Sequence, residues 1–324
     1  MSEAQQHYVD GVLIAWGERW DGSAQIRKGR IAKSGAIVLP VKRQSGSAIA
    51  QSVRQNLRGF VRKHPQVVVK ISGGGKGMKA IAAHFSYIAR HGDVALEDQD
   101  GERVEGKEGL AALRDQWAYG HYPIAEESHR REAFNIILSM PAGTDRNAVL
   151  RAARDFARDE FGGQHEYVFA NHNDELHPHV HLAVKARGRD GTRLNPRKAD
   201  LRAWRAKFSQ KLRDHGIDAV ATKRSTRLHR PKGEKQAIRK IKERGQIPRN
   251  DVTAKRQNAA ALRARHNTNR AMRDFTLVAQ VLAGSADVND RELAVELVQT
   301  LPRVQAPSWE EGVEVRLPSL DKSR

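Results

Sequence analysis

The chain has no cysteine among its 324 residues. Disulfides and thiolate-held metals are therefore excluded, and the composition suits a reducing compartment such as the cytosol. No apolar run approaches the ~18 residues that a bilayer-spanning helix needs, so no stable membrane insertion is expected. The opening ten residues, Met1 to Asp10, are polar and hold no apolar signal core. Acidic residues are scarce: 38 Asp and Glu face 57 Lys and Arg, for a net charge of +19. A chain this basic is expected to meet a polyanion, and without a membrane segment nucleic acid is favoured. Two phosphate-binding signatures are also missing, the Walker A spacing and the dinucleotide fingerprint. There is no internal repeat.

The pattern along the chain predicts four regions. Residues 1–64 are basic and mixed, with short apolar patches at 11–16 and 36–41, and read as a loosely packed arm. Within them, 45–63 suits a helix carrying Arg54, Arg58 and Arg62 at four-residue spacing. Residues 65–228 read as the folded core. Short β-branched or apolar runs predict strands at 67–71, 133–140, 166–170 and 179–185. Helical periodicity predicts helices at 78–90 (ending near Gly92), 110–117, 145–160 (capped by Thr144 or Asp145) and 198–215. Strands separated by helices, with a hairpin-like pair around 165–185, point to an α+β fold. Helices on one sheet face would leave the other free for a ligand. Residues 229–284 read as a basic, largely helical DNA-binding arm: 223–273 carry 17 Lys or Arg against Glu234, Glu243 and Asp251. Residues 285–324 are mildly acidic, with a short amphipathic helix at 293–301 and a disordered end.

The densest chemistry lies in His172-Asn173-Asp174-Glu175-Leu176-His177-Pro178-His179-Val180-His181, four histidines and two carboxylates in ten residues. Strand side chains alternate faces, so His179 and His181 aim at one point while Val180 faces the core. Imidazole suits divalent transition metals. A third histidine would complete a three-nitrogen site with open positions, as catalytic metals need. His172 is preferred, because the turn 173–178 can fold it back. His177 has the right parity, but Pro178 beside it favours a turn. Asp174 is placed to orient a ligand histidine. In the helix 78–90, Ile81, Phe85 and Ile88 form an apolar stripe, and Tyr87 lies off it near Ala80, Ala83 and His84. The turn Ser72-Gly73-Gly74-Gly75-Lys76-Gly77 sits between a strand and a helix, where open amides and Lys76 would hold a phosphodiester.

These residues resemble conjugative and mobilisation DNA relaxases of the MobP group, within the HUH endonucleases. His179-Val180-His181 matches the family's histidine–hydrophobic–histidine motif. His172, Asp174 and Pro178 to His181 match its wider form. Tyr87-Ile88-Ala89-Arg90-His91-Gly92 matches the tyrosine motif, and Leu194-Asn195-Pro196-Arg197 is also similar to the family. The resemblance spans about residues 66–228. It implies a five-stranded antiparallel sheet flanked by helices, with the tyrosine helix over a metal site. It implies strand-specific nicking and rejoining at an origin of transfer, with Tyr87 as nucleophile and Asp174 in support. It implies Mg²⁺ or Mn²⁺ on His172, His179 and His181. Single-stranded or supercoiled DNA would meet Lys76, Lys79, Arg90, Arg197, Lys223, Arg224 and Arg227. Accessory relaxosome proteins and a type IV secretion coupling protein are the implied partners, with export of the chain covalently attached to DNA. The general base stays open among His84, His91 and His177. A rolling-circle initiator or transposase would place the tyrosine after the histidines. A basic DNA-binding protein without catalysis is the remaining alternative.

Overall fold

A computed structural model describes residues 3–20, 46–222, 241, 243–246 and 254–301. Its centre is one antiparallel sheet. In chain order the elements are α1 (Glu3–Trp20), α2 (Gly46–Val61), β1 (Val68–Gly73), α3 (Met78–Ile88), β2 (Leu96–Asp98), β3 (Arg103–Val104) and α4 (Gly106–Tyr119). They continue with β4 (Ala133–Ser139), α5 (Arg146–Phe161), β5 (Tyr167–His172), β6 (His179–Lys185), α6 (Lys198–Asp214), α7 (Ala254–Ala283) and α8 (Val288–Thr300). The strand order is β1-β4-β6-β5-β2-β3. The sheet thus has six strands rather than five, because the small β2–β3 hairpin extends it beyond β5.

Period-two alternation sorts the central strands. Phe134, Ile136 and Leu138 of β4, Tyr167 and Phe169 of β5, and Val180, Leu182 and Val184 of β6 bury against α5 and α6. Val149, Ala152, Ala153 and Phe156 supply the facing stripe of α5. A side chain as fully buried as Phe156 contributes about 1.5–3 kcal/mol relative to exposure. Asp145, rather than Thr144, caps α5, accepting from the Asn147 amide at 2.9 Å.

The opposite sheet face is not free, as helices on one face alone would have left it. Ala133, Val168, Ala170 and Ala183 are small or β-branched, and α3 and α4 settle on them through Ile81, Phe85, Ile88, Leu113 and Trp117. Every residue of β6 is buried as a result. The end of this face beyond Ala170 and Ala183, where the histidines lie, falls outside the helices' apolar stripe.

The expectation of a loosely packed N-terminal arm is overturned. Val9, Leu13 and Trp16 of α1 and Val53 and Leu57 of α2 share a second core with Phe275, Val278 and Leu282 of α7 and Leu293 and Leu297 of α8. Arg54 bridges the ends of the chain, 2.8 Å from Asp10 and 2.7 Å from the fully buried Asp290. The expected helix at 293–301 is real but starts earlier, at Val288, where Asp287 caps it. Most of the basic arm, and the tail after residue 301, lie outside the described residues.

Candidate active site

Register brings three histidines together. His172 ends β5 and pairs with His179 at the start of β6, while His181 pairs with Ala170. The rings stand 4.5 Å (His172–His181), 5.2 Å (His179–His181) and 5.3 Å (His172–His179) apart between centroids. One nitrogen from each lies within 4.8 Å of the others. Two of the outer nitrogens are held by backbone. His172 Nε2 donates to the Ile88 carbonyl at 2.7 Å, and His179 Nδ1 donates to the His177 carbonyl at 2.9 Å. This points the lone pairs of His172 Nδ1 and His179 Nε2 inward, as in metal sites whose outer nitrogens are oriented by carbonyls, although Arg90 approaches His172 Nδ1 at 3.2 Å. His177 lends its carbonyl to the cluster.

Burial disfavours the charged form of His172 and His181. Desolvation lowers His181 to about 3, helped by the neighbouring His172 and His179. Desolvation also lowers His172 and outweighs the bond to Ile88. Three converging imidazoles, two with their outer nitrogens held by carbonyls, fit a divalent cation.

Tyr87 sits on the last turn of α3, about half-exposed at 54%. Its ring meets His181 edge-on at 5.9 Å. The Arg90 guanidinium lies 5.4 Å from the centre of the same ring. One Arg90 nitrogen also reaches His172 Nδ1 at 3.2 Å and Asp174 Oδ2 at 2.5 Å. Asp174 therefore acts on the histidines through Arg90, rather than by bonding an imidazole itself. The helix stops at Ile88, short of the expected 90, because Arg90 (φ 49°), His91 (φ 60°) and Gly92 (φ 106°) are left-handed. A left-handed conformation costs a non-glycine residue about 1–2 kcal/mol, and the strain falls where Arg90 turns into the site.

The three candidate bases separate. His91 Nδ1 is 2.9 Å from the Ser86 hydroxyl. His177 lies in the exposed turn. His84 stands 6.2 Å from Tyr87 and 6.5 Å from His181 between ring centroids, with Nε2 buried and unpartnered among the described residues. Burial lowers His84 to about 4.

Arg146 escaped the sequence reading. From the first turn of α5 it reaches the His172 carbonyl at 3.5 Å and also bonds the Glu175 carbonyl, pinning the turn 173–178. The available signal was a cation in the first helical turn, where the helix dipole disfavours it.

The glycine-rich turn is no phosphate cradle. The Met78 and Lys79 amides, the donors a phosphate would use, already bond the Ala125 and Glu126 carbonyls at 2.9 and 3.2 Å. A Cβ on Gly77 would stand 2.3 Å from the Glu126 carbonyl oxygen, and one on Gly74 2.3 Å from that of Ala133. The glycines let two backbones meet. Lys76 and Lys79 are exposed there, at the start of α3, and Tyr87 lies at its other end. Arg197 is exposed at the N-cap of α6, also away from the triad. Of the expected DNA contacts, Arg90 alone joins the triad among the described residues. Lys223, Arg224 and Arg227 lie outside them.

Residues 98–217 match the family model "Relaxase: MobA/VirD2-like, nuclease domain". The match includes the three histidines and Asp174 and begins after Tyr87 and Arg90. The chain is 29% identical over 182 residues to the T-DNA border endonuclease VirD2 of Rhizobium radiobacter, covering 50% of this chain and 43% of that protein. It is 30% identical over 179 residues to the 43 kDa relaxation protein of Salmonella typhimurium, covering 50% and 44%. The chain thus spans less than half the length of these curated relatives. Over its sheet and histidine cluster the chain is thus similar to the nuclease domain of MobA/VirD2-like relaxases, and the open antiparallel sheet is consistent with that likeness.

Proposed function

We propose that this protein nicks and rejoins one DNA strand at an origin of transfer, through a covalent bond between Tyr87 and the 5′ phosphate. The observation that carries the reading is the edge-on approach of a half-exposed Tyr87 to His181 of the buried triad. In the forward step the Tyr87 oxygen forms a bond to phosphorus and the bond to the 3′ oxygen breaks. The 3′ oxygen leaves as a hydroxyl, taking up a proton, and the phenolic proton must be removed. Of the imidazoles outside the triad, His84, whose ring centroid lies 6.2 Å from that of Tyr87, is the best placed to receive it. Arg90 spans the tyrosine ring, the triad and Asp174, and brings positive charge to the phosphate oxygens. A divalent ion on His172, His179 and His181, Mg²⁺ or Mn²⁺ by resemblance, would supply further polarisation and orientation of the phosphate. Because the ester keeps the bond energy, the freed hydroxyl can later reverse the step.

The same reading makes single-stranded or supercoiled DNA the substrate, with accessory relaxosome proteins and a type IV secretion coupling protein as partners. It places the chain in the bacterial cytoplasm, from which it would leave joined to DNA. No helix among the described residues is long and apolar enough to cross a membrane.

The test is a denaturing gel of wild type and Tyr87→Phe with end-labelled single-stranded DNA carrying the element's transfer origin, with Mn²⁺ or chelator. Label retained by the denatured wild type alone, and only with metal, is the expected result. A retained label in Tyr87→Phe would remove that residue as nucleophile.

A further inference from the structure

A second basic recess lies at the other end of β6. Lys185 points to the same sheet face as His179 and His181, but four residues past His181, about 13 Å along the strand at ~3.3 Å per residue. Ala183 lies between, covered by α3 and α4. The recess, about 180 Å³, is bounded by the segment between α4 and β4 and by the residues following β6. Tyr122, Arg130, Glu132, Lys185, Arg187 and Arg193 line it.

Its lining leans toward cations, with Arg130, Lys185, Arg187 and Arg193 against Glu127 and Glu132. Glu132 is engaged by Arg193 at 2.9 Å, Arg130 at 3.1 Å and the Ser128 hydroxyl at 2.9 Å. Lys185 is 1% exposed, and its ammonium stands 3.3 and 3.4 Å from the two Glu166 oxygens. Those distances exceed the ~2.7–2.9 Å of a close ionic hydrogen bond, and an ammonium has a third donor to give. Exposed Arg187 carries no carboxylate contact among the described residues, and its guanidinium lies 4.0 Å from the centre of the Tyr122 ring. A flat cation on a phenol ring is a surface on which a nucleobase stacks. Gly191 (φ +78°) makes room for Tyr122, since a Cβ there would come 3.2 Å from the Tyr122 hydroxyl. The volume falls below the ~300–1,000 Å³ of sites for drug-sized ligands, which suits one ring or one phosphate. Exposed Lys76 and Lys79 flank the same region, since the Ala125 and Glu126 carbonyls that line or adjoin the recess bond the first amides of α3.

We propose that this recess is a second nucleic-acid subsite, taking one nucleotide of the bound strand with its base on the Arg187–Tyr122 pair and its phosphate toward Lys185. The assignment of a DNA strand as the occupant rests on the proposed function. The subsite grips DNA away from the reacting phosphate, so its loss weakens binding and spares the chemical step.

The test uses the full chain, with Arg187→Gln and Tyr122→Leu. A fluorescein-labelled single-stranded oligodeoxynucleotide is titrated by anisotropy at several salt concentrations. Base stacking of this kind predicts a Kd raised about tenfold or more in each variant. Arg187→Gln should also flatten the salt slope by roughly 0.7. Adduct formation at saturating DNA and the Mn²⁺ affinity should match wild type. Photocrosslinking of 5-iodouracil-substituted DNA should label Tyr122 in the wild type. Unchanged Kd and salt slope in both variants, with wild-type thermal stability, would overturn the proposal. So would deoxynucleoside monophosphates that bind at Arg187 while oligonucleotide affinity ignores both substitutions, which would assign the recess to a free nucleotide. If even the wild type forms no adduct while both variants bind DNA more weakly, the nicking function fails and the subsite stands.

Discussion

The Arg90 guanidinium donates to the Asp174 carboxylate at 2.5 Å, and the same nitrogen lies 3.2 Å from His172 Nδ1. Asp174 is exposed and Arg90 partly so, so water screens their attraction and the contact serves geometry more than stability. Arg90 reaches this position only by leaving α3 in a left-handed turn. The pair therefore ties the end of the tyrosine helix to the turn between the histidine-bearing strands.

Arg90→Lys and Asp174→Asn should separate geometry from charge. Lysine keeps the charge but cannot span Tyr87, His172 and Asp174 with a planar fork. Single-turnover nicking is expected to fall about 10²–10³-fold in Arg90→Lys, the scale of losing one aligned electrostatic donor. Asp174→Asn should slow nicking less, because Arg90 keeps its charge. Melting temperatures near wild type would locate both effects in the site, and wild-type nicking by Arg90→Lys would remove Arg90 from the mechanism.

His179→Ala should reduce metal affinity and nicking together, with the loss of metal read directly by Mn²⁺ calorimetry. Three imidazole nitrogens, with no carboxylate among them, suit later transition ions better than Mg²⁺. Binding should therefore strengthen from Mg²⁺ through Mn²⁺ to Co²⁺ and Ni²⁺. A preference for Mg²⁺ would mean that oxygen donors outside this triad dominate.

Acid should destabilise the chelator-treated protein before its carboxylates titrate. Burial holds His84 near 4 and His181 near 3 in the folded state, while both return to about 6.5 on unfolding. Between those values the unfolded chain binds protons that the folded chain refuses, so stability falls as pH drops below ~6.5 and is flat above it. His84→Phe should make the melting temperature less steep between pH 6.5 and 4. An unchanged slope would show that other groups set the acid limit.

Gly77→Ala should destabilise the fold by about 1–3 kcal/mol or more, from φ +110° and a Cβ 2.3 Å from the Glu126 oxygen. Urea unfolding measures it. DNA affinity of the folded protein should hold, because the neighbouring amides already serve Ala125 and Glu126. A selective loss of DNA binding with full stability would restore the phosphate-cradle reading.

The site was more legible than its surroundings, for physical reasons. His179, Val180 and His181 declare their faces by strand alternation alone, and the turn before them is short enough to return His172. Tyr87 declares itself by lying off the Ile81–Phe85–Ile88 stripe. The β2 and β3 strands, of three and two residues, are too short to show a period. The glycine-rich turn looked open because the segment that closes it arrives some fifty residues later. The N-terminal helices looked loose because their apolar partners lie on α7 and α8, more than two hundred residues away. Local pattern carries no information about such distant matches.

The Arg54 bridge between Asp10 and Asp290 has a consequence for the order of events during synthesis. The nuclease sheet is contiguous, from β1 to β6, and can close soon after α6 leaves the ribosome. Helix α1 is made before the sheet, yet Leu13 and Trp16 find Phe275 and Leu282 only after α7 has followed it. At ~5–20 residues per second that wait is on the order of ten seconds or more. The newborn chain therefore carries an unmatched apolar helix ahead of a finished sheet, and the Arg54 bridge closes after both.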